Sequence, residues 1–432
     1  MSYSSVIEYL YGLQKHGIKL GLETMRLLLD RVSNPQASLQ VLHVGGTNGK
    51  GSTASMAAAV LHCAGRRVGL YTSPHLVDFR ERIRVNGRMI PEDRVEALLT
   101  QLRAVLRDDL HPTFFEMTTA LAFLHFAESA VDIAVLEVGL GGRFDATNVI
   151  DRPLASAITT IGMDHQEYLG ETEGAIAFEK GGIIKPCVPV VIGRTGPDAE
   201  QVLSNIAKDR VAPLWRLGRE FSLEQDRAGK LVYRGRGYVI EGVECGLVGR
   251  HQWDNAACAL ALLEAADQQG ITMDEEAALE GLRTVSWEGR LETIDEEPHV
   301  VVDGAHNPAA ADVLARYLAD YAVQHPTSRI ILVWGMMRDK DHRGFIRTLL
   351  PVISEIIVTQ AALARSATVQ ELRAALHEWS GPVMEAILPT EAVTLARSRA
   401  LSQDLICIAG SLMLVGDIKA AMRGCDLSPI RG

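Results

Sequence analysis

The stretch VLHVGGTNGKGSTAS, residues 41–55, decides the fold of this chain. Its apolar start predicts a buried strand, a glycine loop follows at 45–49, and a helix is expected to begin at Lys50. Glycines let the backbone come close to an anion with N–H groups pointing inward, and the helix N-terminus adds positive potential. The order of strand, glycine loop, lysine and helix therefore favours a phosphate-binding loop over an ordinary glycine-rich turn.

The side chains of this loop suit a nucleotide triphosphate. Lys50 supplies a movable positive charge, and Ser52 or Thr53 supplies a hydroxyl for Mg²⁺. The spacing departs from G-x-x-x-x-G-K-[ST], because position 44 is valine and Gly51 separates Lys50 from the hydroxyl. A generic P-loop kinase or GTPase therefore fits poorly. The expected nucleotide contacts in the loop are Gly46, Thr47, Asn48, Gly49, Lys50, Gly51 and Ser52.

Composition narrows the class of protein. The 432 residues exceed what one hydrophobic core usually serves, and a 47% hydrophobic fraction supplies enough core for two domains. A net charge of −11 argues against a nucleic-acid surface, which would need a basic face. Six scattered cysteines without a C-x-x-C pair predict reduced thiols in a cytoplasmic protein. No apolar run approaches the roughly 18 residues that span a bilayer, and no basic-then-apolar leader opens the sequence, so no membrane association is expected.

Alternating short apolar runs and helical periodicity predict an α/β fold with a parallel sheet covered on both faces. Strands are expected at 40–45, 67–71, 132–138, 155–161 and 188–193. Residues 213–248 carry short β-like runs separated by glycines, which predict a small antiparallel subdomain. HQWDNAACALALLEAADQQG (251–270) predicts a long helix ended by glycine.

The domain boundary is expected near Glu288 to Glu297, where GRLETIDEEP brings a charge cluster and a proline that interrupt the pattern. Residues 1–290 would form a P-loop-type, doubly wound, mostly parallel domain that includes the small β insertion. Residues 291–432 would form a smaller Rossmann-like α/β domain, because VVVDG, IILVWG, EIIVTQ and DLICIAG are strand-like runs with helical stretches between them.

Chemistry-bearing residues follow several predicted strands, where open α/β sheets place function. Glu137 ends an apolar strand, and a buried carboxylate needs a partner, for which Mg²⁺ and Arg143 are the candidates. Ser73 and His165 follow the second and fourth predicted strands, although a lone histidine is more often a surface or core residue. Lys180 alone would be interpreted as a solvated lysine at a helix end.

Six further segments follow the glycine loop: SPHLVDFRERIRVNG (73–87), FFEMTTALAF (114–123), LEVGLGGRFDATN (136–148), DHQEYLG (164–170), EKGGIIK (179–185) and DGAHNP (303–308). Together with GTNGKGS they resemble the Mur ligase superfamily and, within it, the folylpolyglutamate synthase and dihydrofolate synthase family. GTNGKGS marks the superfamily, whereas SPHL followed by LEVGLGGRFDATN is specific to the folate branch. The matching motifs cover most of the chain.

This resemblance implies an ATP-dependent ligase that joins L-glutamate to dihydropteroate, to a reduced folate, or to both, through an acyl phosphate. It implies catalytic roles for Lys50, Lys180 and His165. It implies two Mg²⁺ ions held by Ser73, Glu137, His165 and Lys180 as a carbamate, and a monovalent cation such as K⁺ is a further candidate. Further nucleotide contacts would come from Asn255, Arg290, Asp303 and His306. The folate contacts would be Thr113, Phe114, Phe115, Glu116, Phe144, Asp145 and Ala146.

Several of these residues also have plainer explanations. Asn255 and Asp303 could be ordinary polar residues, and the three phenylalanines could be core packing, as at least one is expected to be. Arg290 suits a phosphate clamp, and Asp303 at a strand end suits a hydroxyl or metal contact.

Three rival classes stay open: a Mur-type peptide ligase acting on a UDP sugar, a P-loop kinase or ATPase motor, and a non-catalytic folate-binding module. The combination of Lys50, Glu137, His165 and Lys180 disfavours the last of these. We expect small-molecule partners and a monomer.

Overall fold

The computed structural model describes residues 3–13 and 21–425. Within them the chain separates into two compact units, each described here by itself. Unit 1 comprises Met1–His75, Arg80–Gly246 and Gln252–Ser286, and unit 2 comprises Leu76–Phe79, Leu247–His251 and Trp287–Gly432. Three short segments that the sequence placed in the first domain thus cluster with unit 2, namely residues 76–79, 247–251 and 287–290. The boundary after residue 290 stays a prediction.

Unit 1 is built on a large sheet, for which the described residues supply eight strands. The strands are β1 Val41–Gly45, β2 Val68–Tyr71, β3 Ile83–Val85, β4 Arg88–Met89, β5 Ile133–Glu137, β6 Ala155–Thr160, β7 Val190–Arg194 and β8 Leu214–Arg216. Their spatial order is β4-β3-β2-β5-β1-β6-β7-β8, and only the pairings of β3 are antiparallel. The predicted α/β class and its five strands are confirmed, and β1 lies at the centre because its residues are buried on both faces.

Helices cover this sheet. They are α1 Tyr3–Gly12, α2 Glu23–Arg31, α3 Lys50–Cys63, α4 Glu92–Ala104, α5 Phe114–Glu128, α6 Gln166–Leu169, α7 Glu173–Lys180, α8 Pro197–Asp209, α9 His251–Asp267 and α10 Glu275–Thr284. On one face, Ile176 of α7 and Leu203 of α8 pack in one core with Ile158 and Ile192 of the sheet. Among the helices that the structure describes, none is long and apolar enough to cross a membrane.

The predicted small antiparallel sheet is present as β9 Ser222–Gln225, β10 Leu231–Arg234 and β11 Val239–Val243. A hydrogen bond attaches this small sheet to α9: the hydroxyl of Tyr233 in β10 donates to Oε2 of Glu264 in α9 at 2.7 Å. The insertion is shorter than the predicted 213–248, since Leu214–Arg216 pairs in parallel with β7 and so belongs to the large sheet.

Unit 2 contains a second sheet, with six strands in the described part of the chain. They are β12 Glu292–Glu296, β13 His299–Val302, β14 Ile330–Trp334, β15 Glu355–Val358, β16 Val383–Glu385 and β17 Leu405–Ala409, in the order β12-β13-β17-β14-β15-β16. All pairings except β12 with β13 are parallel. The four predicted strand runs are confirmed, whereas β12 and β16 carry too few apolar residues to have been recognised.

The helices of unit 2 are α11 Pro308–Gln324, α12 His342–Leu349, α13 Val369–Arg373, α14 Pro389–Arg399 and α15 Leu412–Arg423. Successive residues of β14 enter different cores: Leu332 and Trp334 pack on one face, and Ile331 and Val333 on the other. The sheet is therefore covered on both faces, as a doubly wound fold requires.

Candidate active site

The glycine loop joins β1 to α3, which begins at Lys50. Gly46 has φ +138° and Gly49 has φ +83°, values that residues with a Cβ rarely adopt. A Cβ at Gly46 would also lie 2.1 Å from Thr159 Oγ1. Gly49 is the N-cap of α3, and glycine has no side chain to bond the first N–H groups of the helix. The loop therefore leads directly into the positive end of a helix.

Two threonines at the end of β6 hold this loop, and the sequence analysis missed them. Thr160 O accepts from Thr47 N at 2.7 Å, and Thr160 Oγ1 accepts from Asn48 N at 2.9 Å. Thr159 Oγ1 donates to Asn48 O at 2.6 Å. The sequence does show two consecutive threonines at the end of a predicted strand. It does not show that this strand, β6, lies beside β1, and without that neighbour the threonines could not be recognised as partners of the loop.

The basic and hydroxyl side chains of the loop lie at the start of α3. Lys50 Nζ donates to Thr47 O at 3.0 Å, so its ammonium lies over its own loop. Ser52 and Thr53 are buried beneath the loop, and Thr53 Oγ1 donates to Asn255 O at 3.5 Å. The structure thus brings the lysine and the two hydroxyl residues together at the start of α3, and their contact with phosphate stays a prediction.

Asn255 on α9 contacts the loop as well. A Cβ at Gly49 would lie 2.3 Å from Asn255 Oδ1, and Asn255 Nδ2 donates to Gln252 Oε1 at 2.8 Å. Asn255 is only 6% exposed, so it is not the ordinary exposed helix residue that the sequence left open.

Lys180 is brought to the same loop from the end of α7. Its side chain is buried at 5% exposure, and Nζ donates to Gly46 O at 2.9 Å. Burial, and after it the positive charge of Lys50, lowers the pKa of Lys180 to about 7, against the opposing pull of Asp164 and Asp145. The interpretation as a solvated lysine is therefore wrong, and a substantial fraction of this amine is neutral near pH 7.

Close backbone contacts between two motifs fix Lys180 in place. A Cβ at Gly142 would lie 2.7 Å from Lys180 O, and a Cβ at Gly182 would lie 2.3 Å from Arg143 Cα. Arg143 N donates to Glu179 O at 2.8 Å, and the Arg143 guanidinium pairs with the Glu179 carboxylate at 2.7 Å. The loop LEVGLGGRFDATN and the segment EKGG thus interlock through glycines. Arg143 is engaged with Glu179, which removes it as the expected alternative partner of the strand-end glutamate.

That glutamate, Glu137, ends β5 and is buried at 4% exposure. Its Oε2 accepts from Ser73 N at 3.1 Å, which joins the ends of the neighbouring strands β2 and β5. Two of the predicted metal ligands therefore lie together.

His165 follows β6 with φ +51° and begins α6. Its backbone N–H donates to Asp164 Oδ1 at 2.9 Å. The negative charge of Asp164 also acts on Lys180, so Asp164 is a further acid at this edge, one to which the sequence alone assigned no role in the site. No three His, Cys, Asp or Glu side chains among residues 3–13 and 21–425 come together as a metal cluster. Any Mg²⁺ here would take hydroxyl, water or phosphate oxygens besides one or two protein ligands, which is how this ion is commonly held.

The predicted folate residues at the start of α5 have structural roles. Thr113 Oγ1 accepts from Glu116 N at 3.2 Å and Glu116 Oε2 accepts from Thr113 N at 2.7 Å, which is a capping box. Phe114 is buried, stacks on Tyr11 at 5.8 Å between ring centroids, and lies under the Arg82 guanidinium. Phe114 therefore belongs to the core, as expected for at least one of the three phenylalanines.

Phe115 and Phe144 remain partly exposed. A Cβ at Gly139 would lie 2.4 Å from the Phe115 ring, so this glycine lets the ring lie against the backbone of the loop that follows β5. The Arg143 guanidinium lies 4.3 Å from the Phe144 centroid and 5.1 Å from that of Phe178, which is half exposed. The partly exposed rings of Phe115 and Phe144 are thus two flat surfaces beside this loop.

Asp145 organises that loop with both carboxylate oxygens. Oδ2 accepts from Gly139 N at 3.0 Å and Leu140 N at 2.9 Å, and Oδ1 accepts from Thr147 N at 3.0 Å and Thr147 Oγ1 at 2.5 Å. Burial raises the pKa of Asp145, and these hydrogen bonds oppose that rise.

The hydrogen bonds continue from Thr147 to His43, whose Nε2 lies 2.8 Å from Thr147 Oγ1. Because the threonine hydroxyl donates to Asp145, the histidine donates through Nε2. Burial, and then the charge of Lys185, lowers the pKa of His43 to about 3, so the ring is neutral. Ala146, which opens the short 3-10 helix Ala146–Val149, is buried next to this network.

In unit 2, the remaining predicted nucleotide residues form one cluster. Asp303 is 8% exposed; its Oδ2 accepts from Leu291 N at 2.8 Å and its Oδ1 from Ala305 N at 2.8 Å. A Cβ at the next residue, Gly304, would lie 2.3 Å from Arg290 Nη1, and His306 Nδ1 lies 2.8 Å from Gly304 O. Arg290, Asp303 and His306 are therefore held around a single turn.

Comparison with known proteins identifies relatives along the whole chain. The family model for the Mur ligase middle domain matches residues 44–263, and the model for the Mur ligase glutamate ligase domain matches residues 289–412. The chain is 35% identical to the dihydrofolate synthase/folylpolyglutamate synthase of Bacillus subtilis, over 98% of this chain and 99% of that protein.

Solved structures agree with these matches. E. coli FolC in complex with DHPP and ADP superposes with a TM-score of 0.90 at 31% identity, over 98% of both chains. The bifunctional folylpolyglutamate synthase/dihydrofolate synthase of Yersinia pestis complexed with AMPPNP and Mn ion superposes with a TM-score of 0.87 at 31% identity, also over 98% of both chains.

Proposed function

This chain belongs to the Mur ligase family and, within it, to the dihydrofolate synthase/folylpolyglutamate synthase branch, and from that premise we propose how its residues work. It is an ATP-dependent ligase that adds L-glutamate to folates. The residue assignments depend above all on one contact: Lys180 Nζ lies 2.9 Å from the carbonyl of Gly46 in the glycine loop. This contact supports a common site for the two motifs, although 134 residues separate them.

The glycine loop binds the phosphates of ATP. Its backbone N–H groups and the start of α3 face the β- and γ-phosphates, and Lys50 exchanges its contact with Thr47 O for phosphate oxygens. Ser52 contributes a hydroxyl. The threonine pair at the end of β6 keeps the loop open in this shape before ATP arrives, because it bonds the loop backbone rather than the ligand.

Lys180 acts as a carbamate. Its neutral amine adds to CO₂, which forms an N–C bond and releases one proton, and the product is an anion in place of a cation. A pKa of about 7 supports this role because an ordinary lysine is almost fully protonated at neutral pH. The new carboxylate adds to a site that otherwise has few anionic protein ligands.

Ser73, Glu137, His165 and the Lys180 carbamate would hold Mg²⁺ ions, and we propose two. The donor set is oxygen-rich and small, which fits an ion that keeps waters and substrate phosphates in its shell. Bound there, Mg²⁺ supplies charge neutralisation to the phosphates and to the transferring phosphoryl group.

The reaction needs no nucleophilic side chain. A carboxylate oxygen of the folate attacks the γ-phosphorus and ADP leaves, which gives an acyl phosphate. The amine of L-glutamate then attacks the carbonyl carbon, phosphate leaves, and the amine loses its proton as the amide forms. The protein orients these groups, and Lys50 neutralises charge that develops on the transferred phosphoryl.

For the pterin we propose Phe115 and Phe144 as flat contacts, because both rings are partly exposed. Asp145 and Ala146 would contribute mainly through the loop that they shape, and Thr113, Glu116 and Phe114 through the start of α5. Dihydropteroate and reduced folates both present such a ring, so we propose that the enzyme is bifunctional, in line with the name of its Bacillus relative.

Asn255, Arg290, Asp303 and His306 are proposed as further nucleotide contacts. A monovalent cation, a monomeric state and a cytoplasmic location complete the proposal. Light scattering after gel filtration tests the monomer, and activity in K⁺ against tetramethylammonium buffers tests the cation.

The decisive experiment measures ADP release with dihydropteroate or tetrahydrofolate, each with and without L-glutamate. Glutamate-dependent release with both acceptors supports a bifunctional ligase, and release with one acceptor assigns a single activity. If the rate of ADP release is the same with and without L-glutamate, the ligase mechanism is overturned.

A further inference from the structure

Lys419 on α15 is a buried lysine that the proposed reaction does not use. Its side chain is 5% exposed, and its ammonium contacts two carboxylates, those of Glu292 and of Glu288, the latter at 3.2 Å. A lone buried ammonium would be strongly unfavourable, whereas one between two carboxylates is stabilised. At the exposed end of the same group, Arg423 Nη2 lies 2.6 Å from Glu288 Oε1.

Both carboxylates belong to the five-residue segment Glu288–Glu292, a loop that ends on the first residue of β12 and has Arg290 at its centre. Glu292 uses one oxygen for Lys419 and the other to accept from Gly289 N at 2.7 Å. Burial alone would raise the pKa of Glu288, but the charges of Lys419 and Arg423 lower it below its usual value, so this carboxylate stays ionised.

The loop needs such an anchor because its backbone is strained. Gly289 has φ +69°, and Leu291 has φ +46°, a left-handed value that is unfavourable for a branched side chain. Arg290 therefore lies between two residues in the left-handed region. From the other side, Asp303 Oδ2 holds Leu291 N, and Gly304 N donates to Gly289 O at 2.9 Å.

We infer that Lys419 is a positioning residue for nucleotide binding, acting through Glu288 and Glu292 on the direction of the Arg290 side chain. The inference rests on the proposed role of Arg290 in binding ATP. Lys419 touches no substrate in this role; it holds the strained loop in the one conformation that presents the guanidinium.

The test is a double-mutant cycle in the full-length enzyme, with KM measured separately for MgATP, folate and L-glutamate. Lys419→Met should raise KM for MgATP about tenfold and leave the other two within about twofold. Lys419→Arg should restore most of the MgATP affinity, because a guanidinium can bond both carboxylates. Glu292→Gln keeps an acceptor for Gly289 N but loses the ion pair, and should give about a threefold rise.

Two further variants make the cycle decisive. Arg290→Ala should raise KM for MgATP at least as much as Lys419→Met, and adding Lys419→Met to it should cause no further rise, because the group through which Lys419 acts is gone. Arg399→Met is the matched control: Arg399 Nη2 pairs with the buried Glu355 at 3.2 Å elsewhere in unit 2, and its loss should leave KM for MgATP unchanged.

Each outcome decides one question. If Arg290→Ala raises KM for MgATP and Lys419→Met does not, or if their effects multiply, Lys419 does not position Arg290 and the inference is overturned. If Arg290→Ala leaves KM for MgATP unchanged, the proposed nucleotide role of Arg290 fails, and the inference fails with it. If Arg399→Met raises KM as Lys419→Met does, the effect is general destabilisation of unit 2, which also overturns the inference.

Discussion

Two equally buried lysines, one in each unit, have opposite surroundings. Lys180 and Lys419 are each 5% exposed. The ammonium of Lys180 donates to the carbonyl of Gly46 and has a second positive charge, Lys50, nearby. The ammonium of Lys419 lies between the carboxylates of Glu288 and Glu292.

The difference in surroundings predicts a chemical role for Lys180 and a structural role for Lys419. A buried lysine without a carboxylate at bonding distance loses its proton readily, and a neutral amine can react. A buried lysine with two carboxylates is an ion-pair centre that joins chain segments, and removing it leaves two acids facing each other. Lys180 should therefore matter for turnover, and Lys419 for stability and for the geometry of its loop.

The largest expected effect is on turnover. Lys180→Ala should lower kcat by about 10³-fold, roughly 4 kcal/mol, because under the proposed mechanism the site would lose the carbamate anion that holds Mg²⁺ near the transferring phosphoryl group. The fold should persist, which circular dichroism checks. Short carboxylic acids that fill the gap should restore part of the activity.

The matched control is Lys185→Ala, five residues further along the same segment. Lys185 is half-buried and also donates to a carbonyl, Asn148 O, at 3.1 Å, and burial lowers its pKa to about 8. Its loss should leave kcat within about threefold. If kcat falls equally in Lys180→Ala and Lys185→Ala, the proposed catalytic role of Lys180 is contradicted.

The next effect is on stability, and here the order of the two lysines should reverse. Lys419→Met should lower the free energy of unfolding by roughly 2 kcal/mol, less than for fully buried pairs because Glu288 and Glu292 are partly exposed. Lys180→Met should lower the free energy of unfolding by less than Lys419→Met does, since it breaks no ion pair. Urea unfolding in CO₂-free buffer measures both.

The pH dependence of the same experiment has a definite sign. The pKa of Lys180 falls from 10.5 to about 7 on folding, so between these values the unfolded state binds more protons. The contribution of Lys180 to stability must then rise with pH, by up to about 1.4 kcal/mol per pH unit. If the free energy of unfolding of the wild type, measured relative to that of Lys180→Met, falls from pH 7 to pH 10, the lowered pKa of Lys180 is contradicted.

Both lysines also mark where sequence reasoning reaches its limit. The strands and the glycine loop could be predicted because apolar runs and glycines are local signals. Lys180 lies 134 residues from Gly46, and Lys419 lies 127 from Glu292, so neither contact has a local signature. The family resemblance gave Lys180 a role, whereas nothing drew attention to Lys419.

Local signals were also overlooked. Thr113 and Glu116, assigned to the folate, have the T-x-x-E spacing of a capping box, which the sequence already contained. The strands β12 and β16 could not be predicted, because none of their residues is fully buried and each strand depends on its partner strand for its hydrogen bonds.

A smaller effect should come from the backbone that seats Lys180. In Gly142→Ala the new Cβ would meet Lys180 O at 2.7 Å and Glu179 O at 2.9 Å, so the end of α7 must move. We expect kcat to fall about tenfold, since a shift of about 1 Å in a catalytic group has large consequences. Gly174→Ala in the same helix is the control, because its Cβ would meet only Val202 at 3.8 Å. Indistinguishable kcat values would mean that the interlock of the two loops does not position Lys180.

The smallest expected effect, and the most direct on the chemistry, is the pH dependence of carbamate formation. With limiting ¹³C-bicarbonate, a protein-bound carbamate signal in ¹³C NMR should grow at least about threefold between pH 6.5 and 7.5, because the neutral fraction of an amine of pKa about 7 does so and because the reaction releases a proton. Saturating bicarbonate should flatten the dependence. The signal should be absent from Lys180→Ala and unchanged in Lys419→Met, whose lysine is held by carboxylates. A signal that persists without Lys180, or that depends on Lys419, would reverse the assignment of the two buried lysines.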